Sequence, residues 1–281
     1  MGTKTPEELT GTHHGPMPQP PDPRGAATDL DVLAALQAAF ATTVDTVDPD
    51  VPVPSCGRWR VRHLVVHLAR VHHWAAGQAS RTRETPLGRG PFDLPVLYRT
   101  CAEELLTTLR RLDPAAHAWT LSDDGVPREQ QTGTVAFWHR RQKLETLVHL
   151  WDLRAAAGLA TDVGPLGDAT QWWDAVREVA EVMHPRQVRL GRVAAPPVAL
   201  VLRRGDGGPE PVDVVLDGGS AVAPAPASPR VVVTGRAQDL GLMVWGRVPT
   251  ASSALAVAGE GMADDDAHAA LAGLVAAGLT P

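Results

Sequence analysis

The stretch FWHRRQKLETLVHLWD, residues 137–152, decides the fold, because its polar and apolar residues alternate with the period of an α-helix. Glu145 and His149 are four residues apart and therefore share one face of that helix. Leu144, Val148 and Trp151 occupy the same part of the helix, so the carboxylate and the imidazole lie beside its apolar face. A buried carboxylate needs a partner, and a metal ion would supply one.

A second stretch, RHLVVHLARVHHW at residues 62–74, carries a matching pair, because His63 and His67 also share a helix face. Helical bundles gather such pairs from facing helices around one cation. Imidazole and carboxylate ligands suit zinc and related first-row metals. The spacing alone does not choose between three and four ligands. The alternatives are an exposed Glu–His pair within one helix and hydrogen-bonded surface histidines.

The first half of the chain has the pattern of a four-helix bundle. Residues 1–27 are rich in Pro, Gly and Thr and are predicted to be a disordered tail. The bundle is predicted within residues 28–160, and the segment 117–133 is predicted to be a loop. The four amphipathic helices are predicted over residues 29–47, 61–81, from the turn at 86–91 to about 114, and 134–157.

The second half, residues 161–281, has the pattern of a small α+β domain. A helix over residues 166–183 is predicted to end before Pro185. Short connections between the strands favour antiparallel pairing. The other elements are predicted as strands at 197–204, 211–218, 229–236 and 254–257, and helices at 238–245 and 265–276. The fold class is thus two-domain α and α+β, with the bundle first.

Composition excludes several function classes. The 26 Lys and Arg against 32 Asp and Glu give a net charge of -6 without a long basic run, which argues against a nucleic-acid partner. No apolar run approaches the ~20 residues that span a membrane. The first residues lack the apolar core of a signal peptide, so a cytoplasmic location is expected. The two cysteines, Cys56 and Cys101, are predicted to be buried small hydrophobic residues.

Three segments together carry a family resemblance. VPSCGRWRVRHLVVHLARVHHWA (53–75) and FWHRRQKLETLVHLWDLRAAAG (137–158) resemble the maleylpyruvate isomerase family of mycothiol-dependent enzymes, which belong to the DinB-like metal-binding four-helix bundles. RAQDLGLMVWGRVPTASSALAVAGEGMADDDAHAALAGL (236–274) resembles the C-terminal domain of that family. The likeness covers about residues 28–280, with both halves in the expected order.

The resemblance implies a ligand set. In the family, one histidine of the second helix and a Glu-x-x-x-His pair of the fourth helix hold the metal, and the matching residues are His67, Glu145 and His149. His63 falls where relatives have a residue that is not a ligand, so it is expected beside the site. Three ligands leave an open position for water or substrate. Asp152 matches a recurring acidic residue, with an orienting role or an exposed helix position as the two interpretations.

The resemblance also implies two cofactors, a divalent metal, with zinc first, and the thiol mycothiol. A metal with an open position deprotonates a thiol, and the thiolate is the nucleophile. The thiolate would add to a conjugated cis double bond, allow rotation and leave, or it would stay attached as in a thiol S-transferase. The rival hypotheses are a hydrolase with a metal-activated water and a non-catalytic small-molecule or lipid-binding protein with a structural metal.

Arginines are the candidates for binding anionic groups, because their guanidinium matches a carboxylate. Arg247 is the preferred catalytic, substrate-binding candidate, since the family uses an arginine of the C-terminal domain near its site. Arg140 and Arg141, one turn before Glu145, are candidates for binding the thiol cofactor. A solvated surface role is the alternative for each. The expected partners are a small electrophile and the thiol, and the protein is expected to be a monomer or homodimer.

Overall fold

The computed structural model describes residues 27–207, 213–217 and 229–280. The predicted disordered tail falls outside these residues except for Ala27. Four helices pack together in the first half, with α2 against α3 and α4, and α1 against α4. They are α1 (Asp29–Val44), α2 (Val61–Ser80), α3 (Leu94–Arg111) and α4 (Val135–Ala156). The predicted bundle is therefore present, although α1 ends at Val44 and not at residue 47.

Local sequence signals set where the helices begin. Thr28 and Asp31 form a capping box at the start of α1, each side chain bonding the backbone of the other. Asp93 caps α3 by accepting a hydrogen bond from the backbone N–H of Val96 at 3.1 Å. The connections contain short 3-10 turns at Pro54–Cys56, Leu121–Asp123 and Arg128–Gln130. The first of these turns places residues 54–56 against α4.

Helix α4 lies in the interior, so even its charged residues are covered. Lys143 donates to Asp29 of α1 at 2.7 Å and to Asp174 at 3.0 Å. Arg140 donates to Asp174 at 2.8 Å and to Glu181 at 2.7 Å. These ion pairs offset the cost of removing the cations from water. Lys143 and Arg140 therefore serve contacts between α4 and its neighbours and do not form a solvent face.

The helix that was predicted to stop before Pro185 continues through it. A 3-10 turn at Gly164–Gly167 leads to α5 (Ala169–Glu178), a single π-helical turn (Val179–Met183) and α6 (His184–Arg189). Proline lacks an amide hydrogen and clashes with the carbonyl four residues earlier in a regular helix. The π turn ends just before Pro185, and Pro185 occupies the first turn of α6, where a missing N–H costs little.

A four-stranded sheet follows, in the order β2-β1-β3-β4. Its strands are β1 (Ala199–Arg204), β2 (Asp213–Leu216), β3 (Arg230–Gly235) and β4 (Ala256–Glu260). The prediction of antiparallel pairing throughout is wrong, because β1 and β3 are parallel, with Val201 opposite Val232. The chain returns along β2 on one side of β1 and then pairs β3 with its other side, which gives β1 and β3 the same direction. The other two pairings are antiparallel.

Two more helices complete the second half, α7 (Ala237–Val244) and α8 (Asp264–Ala277). Helix α7 packs against α5, and α8 packs against β3 and β4. One hydrophobic cluster joins Leu144 and Leu147 of the bundle to Trp172, Leu202 and Leu240 beyond it. The domain boundary predicted near residue 160 stays a prediction. No helix in the described ranges has the length and apolar character needed to cross a membrane.

Candidate metal centre

Helices α2 and α4 bring three side chains to one point. Glu145 Oε1 lies 3.3 Å from His67 Nε2 and 3.3 Å from His149 Nε2. One potential ligand atom from each residue lies within 4.8 Å of the other two. The helical spacing of Glu145 and His149 explains why they face the same way, and α2 supplies His67 from the facing helix. Two imidazole nitrogens and a carboxylate oxygen form a donor set that suits zinc.

Burial keeps both histidines in the form that binds a metal. It lowers the pKa of His67 to about 4, and the positive charge of Arg141 acts in the same direction. Burial lowers the pKa of His149 as well. A neutral imidazole has a free lone pair on one nitrogen, which metal binding requires. At neutral pH the two rings are therefore uncharged, and each has a nitrogen that can bind a metal.

Asp152 lies behind His149 and is completely buried. His149 Nδ1 donates a hydrogen bond to Asp152 Oδ2 at 2.9 Å. Burial acts to raise the pKa of Asp152, but the hydrogen bonds from His149 and Arg247 and the positive charge of Arg247 outweigh it and hold that pKa well below its usual range. The Nδ1–H bond leaves Nε2 of His149 as the free nitrogen. The location fits the orienting interpretation of Asp152 and not an exposed helix position.

Three further side chains bind the same carboxylate. Ser55 Oγ donates to Asp152 Oδ1 at 2.6 Å, and Arg247 Nη2 donates to Oδ2 at 2.9 Å. Cys56 Sγ donates to Oδ2 at 3.6 Å, and burial together with Asp152 raises the pKa of this thiol to about 11. Sequence reasoning assigned no role to Ser55 or to this contact of Cys56. Arg247 is thus brought to the site through Asp152, and its contact with a substrate stays a prediction.

The two predicted thiol-binding arginines are held by carboxylates of the protein. Arg141 is buried, forms an ion pair with Glu145 and donates to Glu178 Oε2 at 2.5 Å. Its guanidinium lies 5.2 Å from the ring centroid of Trp245. Arg141 binds Oε2 of Glu145, whereas the two histidines lie near Oε1. Arg140 makes the ion pairs of α4 described above, and a thiol-binding role for either arginine stays a prediction.

The most exposed of the three candidate ligands is His67. The side chain of His67 is 35% exposed, against 8% for Glu145 and 7% for His149. His67 lines a cavity of about 920 Å³ beside α2. The ring of Trp59 lies 5.0 Å from that of His67, between centroids, and also lines the cavity. A substrate would therefore reach the ligand set along the His67 side.

His63 lies next to this group but outside it. Its Nδ1 accepts a hydrogen bond from the backbone N–H of Arg60 at 2.9 Å, at the start of α2. Its side chain lines the cavity. Among the described residues, the group with metal-binding geometry contains His67, Glu145 and His149. This arrangement agrees with the expectation that His63 is a neighbour of the site.

The fold and the site define a class: a helical bundle with a candidate three-ligand centre between its second and fourth helices, followed by a small α+β region. Residues 30–154 match the family model described as the mycothiol maleylpyruvate isomerase N-terminal domain. All three candidate ligands lie within the matched residues. The resemblance to the maleylpyruvate isomerase family that the sequence suggested is confirmed by this match, and the family indicates an enzyme.

Solved structures show the same fold. A crystal structure of the mycothiol-dependent maleylpyruvate isomerase is similar with a TM-score of 0.52 and 15% identity, over 82% of this chain and 91% of that chain. A histidine-to-alanine variant of that isomerase gives a TM-score of 0.55 with the same identity and coverage. No curated protein matches the sequence. The predicted two-part architecture, bundle first and α+β region second, is therefore confirmed.

Proposed function

We propose that this protein is a metal-dependent enzyme that activates a low-molecular-weight thiol, mycothiol, for addition to a small electrophile. The observation that carries the proposal is the convergence of His67, Glu145 and His149, with ligand atoms within 4.8 Å of one another, at the wall of a cavity. The match to a mycothiol maleylpyruvate isomerase domain supports the choice of thiol. We also propose that the enzyme is located in the cytoplasm.

The residues of the chain prepare the centre for a cation. Glu145 and the two neutral histidines would hold a divalent metal, which when bound supplies a positive charge that favours the deprotonated form of a thiol. Asp152 accepts a hydrogen bond from Nδ1–H of His149 and so fixes the direction of Nε2. Arg141 binds the second oxygen of Glu145. Three protein ligands leave room for a further group from the cavity side.

The reaction follows from the chemistry of a thiolate. Its sulfur forms a bond to one carbon of a conjugated cis double bond, and the electron pair of that double bond moves into the attached carbonyl system. The remaining carbon–carbon bond is single and rotates. When the carbon–sulfur bond breaks, the electron pair returns, the trans double bond forms and the thiolate is released. With an electrophile that carries a leaving group, the bond to that group breaks as the carbon–sulfur bond forms, and the group departs with the electron pair. The sulfur then stays attached, and the enzyme is a thiol S-transferase.

The test measures metal, thiol and turnover in the same preparation. We expect the purified full chain to contain zinc and to isomerise maleylpyruvate, or to form a mass adduct between mycothiol and another electrophile, only when mycothiol is present. Glu145→Gln should abolish both zinc binding and turnover. Glu103→Gln, on the exposed face of α3, is the matched control and should change neither.

The rival hypotheses predict other results. A hydrolase would retain full activity without any low-molecular-weight thiol, because its nucleophile is water. A binding protein with a structural metal would contain zinc but show neither turnover nor a thiol adduct with any electrophile. Either result would contradict the proposed function.

A further inference from the structure

The cavity beside His67 has an unusual polar lining. The described polar residues in its wall are all arginine or histidine, namely Arg62, His63, His67, Arg70 and Arg89. Arginine donates hydrogen bonds and cannot accept them. A sugar-like ligand carries hydroxyl groups that both donate and accept, and the described wall offers it no carboxylate, amide or hydroxyl side chain. A carboxylate, sulfonate or phosphate, which supplies acceptors and negative charge, fits this wall better.

The three arginines of the cavity wall differ in whether the guanidinium already has a partner within the protein. Arg62 forms an ion pair with Asp50. Arg70 Nη2 donates to the carbonyl of Gly88 at 2.8 Å, and its guanidinium lies 5.9 Å from the ring centroid of Phe92. Arg70 therefore ties the segment before α3 to α2. Neither arrangement leaves a guanidinium fully free for a ligand.

Arg89 is the cation that stays available. It is exposed on the segment between α2 and α3, and it has no hydrogen-bond or ion-pair partner within the described parts of the chain. Gly88 and Gly90 on either side of it have φ values of 77° and 89°, which side chains other than glycine rarely adopt. These two glycines shape the turn that carries Arg89 along the cavity wall.

The rest of the wall is apolar and partly aromatic. Trp74 lies seven residues after His67 on α2, a rise of about 10 Å along the helix. The cavity of about 920 Å³ is within the size range of small-molecule sites. Its apolar lining comes from both α2 and the segments around it: Pro49, Trp59, Val66, Val71, Trp74, Pro91, Phe92 and Leu94.

We propose that this cavity binds an anion with a flat apolar body, with Arg89 on its acidic group and the aromatic wall on its body. The assignment of this cavity to the electrophilic substrate rests on the proposed function. Under that assignment, Arg89 is a determinant of substrate specificity. Such a ligand would extend along α2 from the His67 end of the cavity toward Trp74.

The test uses 2-naphthoate as the probe and 2-naphthamide, which has the same shape without the charge, as its partner. Isothermal titration calorimetry on the full chain should show that naphthoate binds and that Arg89→Ala weakens it about tenfold, the size of one charged hydrogen bond. Arg89→Lys should restore most of the loss. Arg83→Ala, on the same segment but outside the cavity, removes the same charge and should change the affinity less than twofold.

Three results would overturn the proposal. The first is no measurable naphthoate binding, the second is equal affinity of naphthoate for the wild type and Arg89→Ala, and the third is naphthamide binding as tightly as naphthoate. Zinc content and mycothiol-dependent turnover are measured on the same samples. If both are absent while Arg89-dependent naphthoate binding persists, the anion site stands and the proposed function falls. If both are present without naphthoate binding, the anion site falls alone.

Discussion

Arg247 and Asp152 join the two halves of the chain at the candidate metal centre. The guanidinium donates from Nη2 to Oδ2 at 2.9 Å and from Nε to Oδ1 at 3.2 Å, and His149 donates to the same Oδ2. Arg247 also donates to the backbone carbonyl of Trp245 at 2.6 Å. A residue that follows α7 thus contacts a candidate ligand of α4, His149, through one buried carboxylate. The α+β region is therefore part of the candidate centre even though the three candidate ligands all lie in the bundle.

Asp152→Asn should weaken metal binding without removing a ligand. The variant loses the charge that holds Nδ1–H of His149 and leaves Arg247 without its ionic partner. We expect zinc affinity to fall about 10- to 100-fold, as for other residues that orient metal ligands. We also expect a loss of roughly 3 kcal/mol in the free energy of unfolding, because one partner of a buried ion pair is removed. Competition with a zinc chelator and urea unfolding measure the two effects.

The control for this variant is Asp265→Asn on the exposed first turn of α8. It removes the same charge far from the centre and should alter neither quantity. An Asp152→Asn protein with wild-type zinc affinity would show that Asp152 does not orient His149.

The number of ligands can be tested directly. His67→Ala, Glu145→Gln and His149→Ala should each reduce bound zinc from about one per chain to near zero, since a site with two remaining protein ligands is weak. His63→Gln should retain zinc, because His63 accepts a hydrogen bond from the backbone N–H of Arg60 and is not one of the three candidate ligands. Metal content is measured by mass spectrometry after gel filtration. Loss of zinc in His63→Gln would make His63 a fourth ligand.

Arg141 and Glu178 form a buried pair whose separation should be costly. Arg141→Met leaves Glu178 buried and unpaired, and Glu178→Gln leaves Arg141 short of one carboxylate. Each change should cost about 3–5 kcal/mol of unfolding free energy. The double variant should be less destabilised than the sum of the two, because the side chain at position 178 is then neutral and needs no cation. Urea unfolding of all four proteins measures this coupling.

The same variants test the thiol-binding role of Arg141. Arg141→Met with unchanged stability but weakened mycothiol binding would favour that role over the structural one.

His72 should make the protein sensitive to acid. It is buried between α3 and α4, with Gln142 Oε1 at 2.8 Å from its Nδ1 and Tyr98 beside its ring. Burial lowers its pKa to about 4 from 6.5, so the unfolded chain binds a proton in this range that the folded chain does not. The unfolding free energy should therefore fall as pH drops from 6.5 to 4, by roughly 3 kcal/mol from this residue.

His72→Gln isolates this contribution, because the other histidines stay in place in both proteins. Its urea midpoint should depend less on pH between 7 and 4 than that of the wild type. Equal pH dependence of the two midpoints would mean that His72 titrates normally in the folded protein.

How much the sequence could predict depends on whether a feature is local. The four-residue spacing of Glu145 and His149 fixes their common face, and the four bundle helices follow from their periodicity. Spacing did not reveal that Arg141 would meet Glu178, since that contact exists only after α5 packs against α4. The parallel pairing of β1 and β3 could not be predicted for the same reason. Short connections show which strands are near in sequence, but they do not determine which strands pair.

The cavity cations show the same limit. Arg70 is three residues after His67 and shares its helix face, so its position could have been noticed from the sequence. Arg89 has no such signal, because it belongs to an irregular segment without a period.

The ligands and the cavity wall are carried by different kinds of backbone. His67, Glu145 and His149 are fixed by two packed helices, whereas Arg89, Pro91 and Phe92 belong to the segment between α2 and α3. Loops accept substitutions, insertions and deletions more readily than the helices they connect. A change of this segment could therefore alter which molecules the cavity accepts while leaving the candidate metal centre in place.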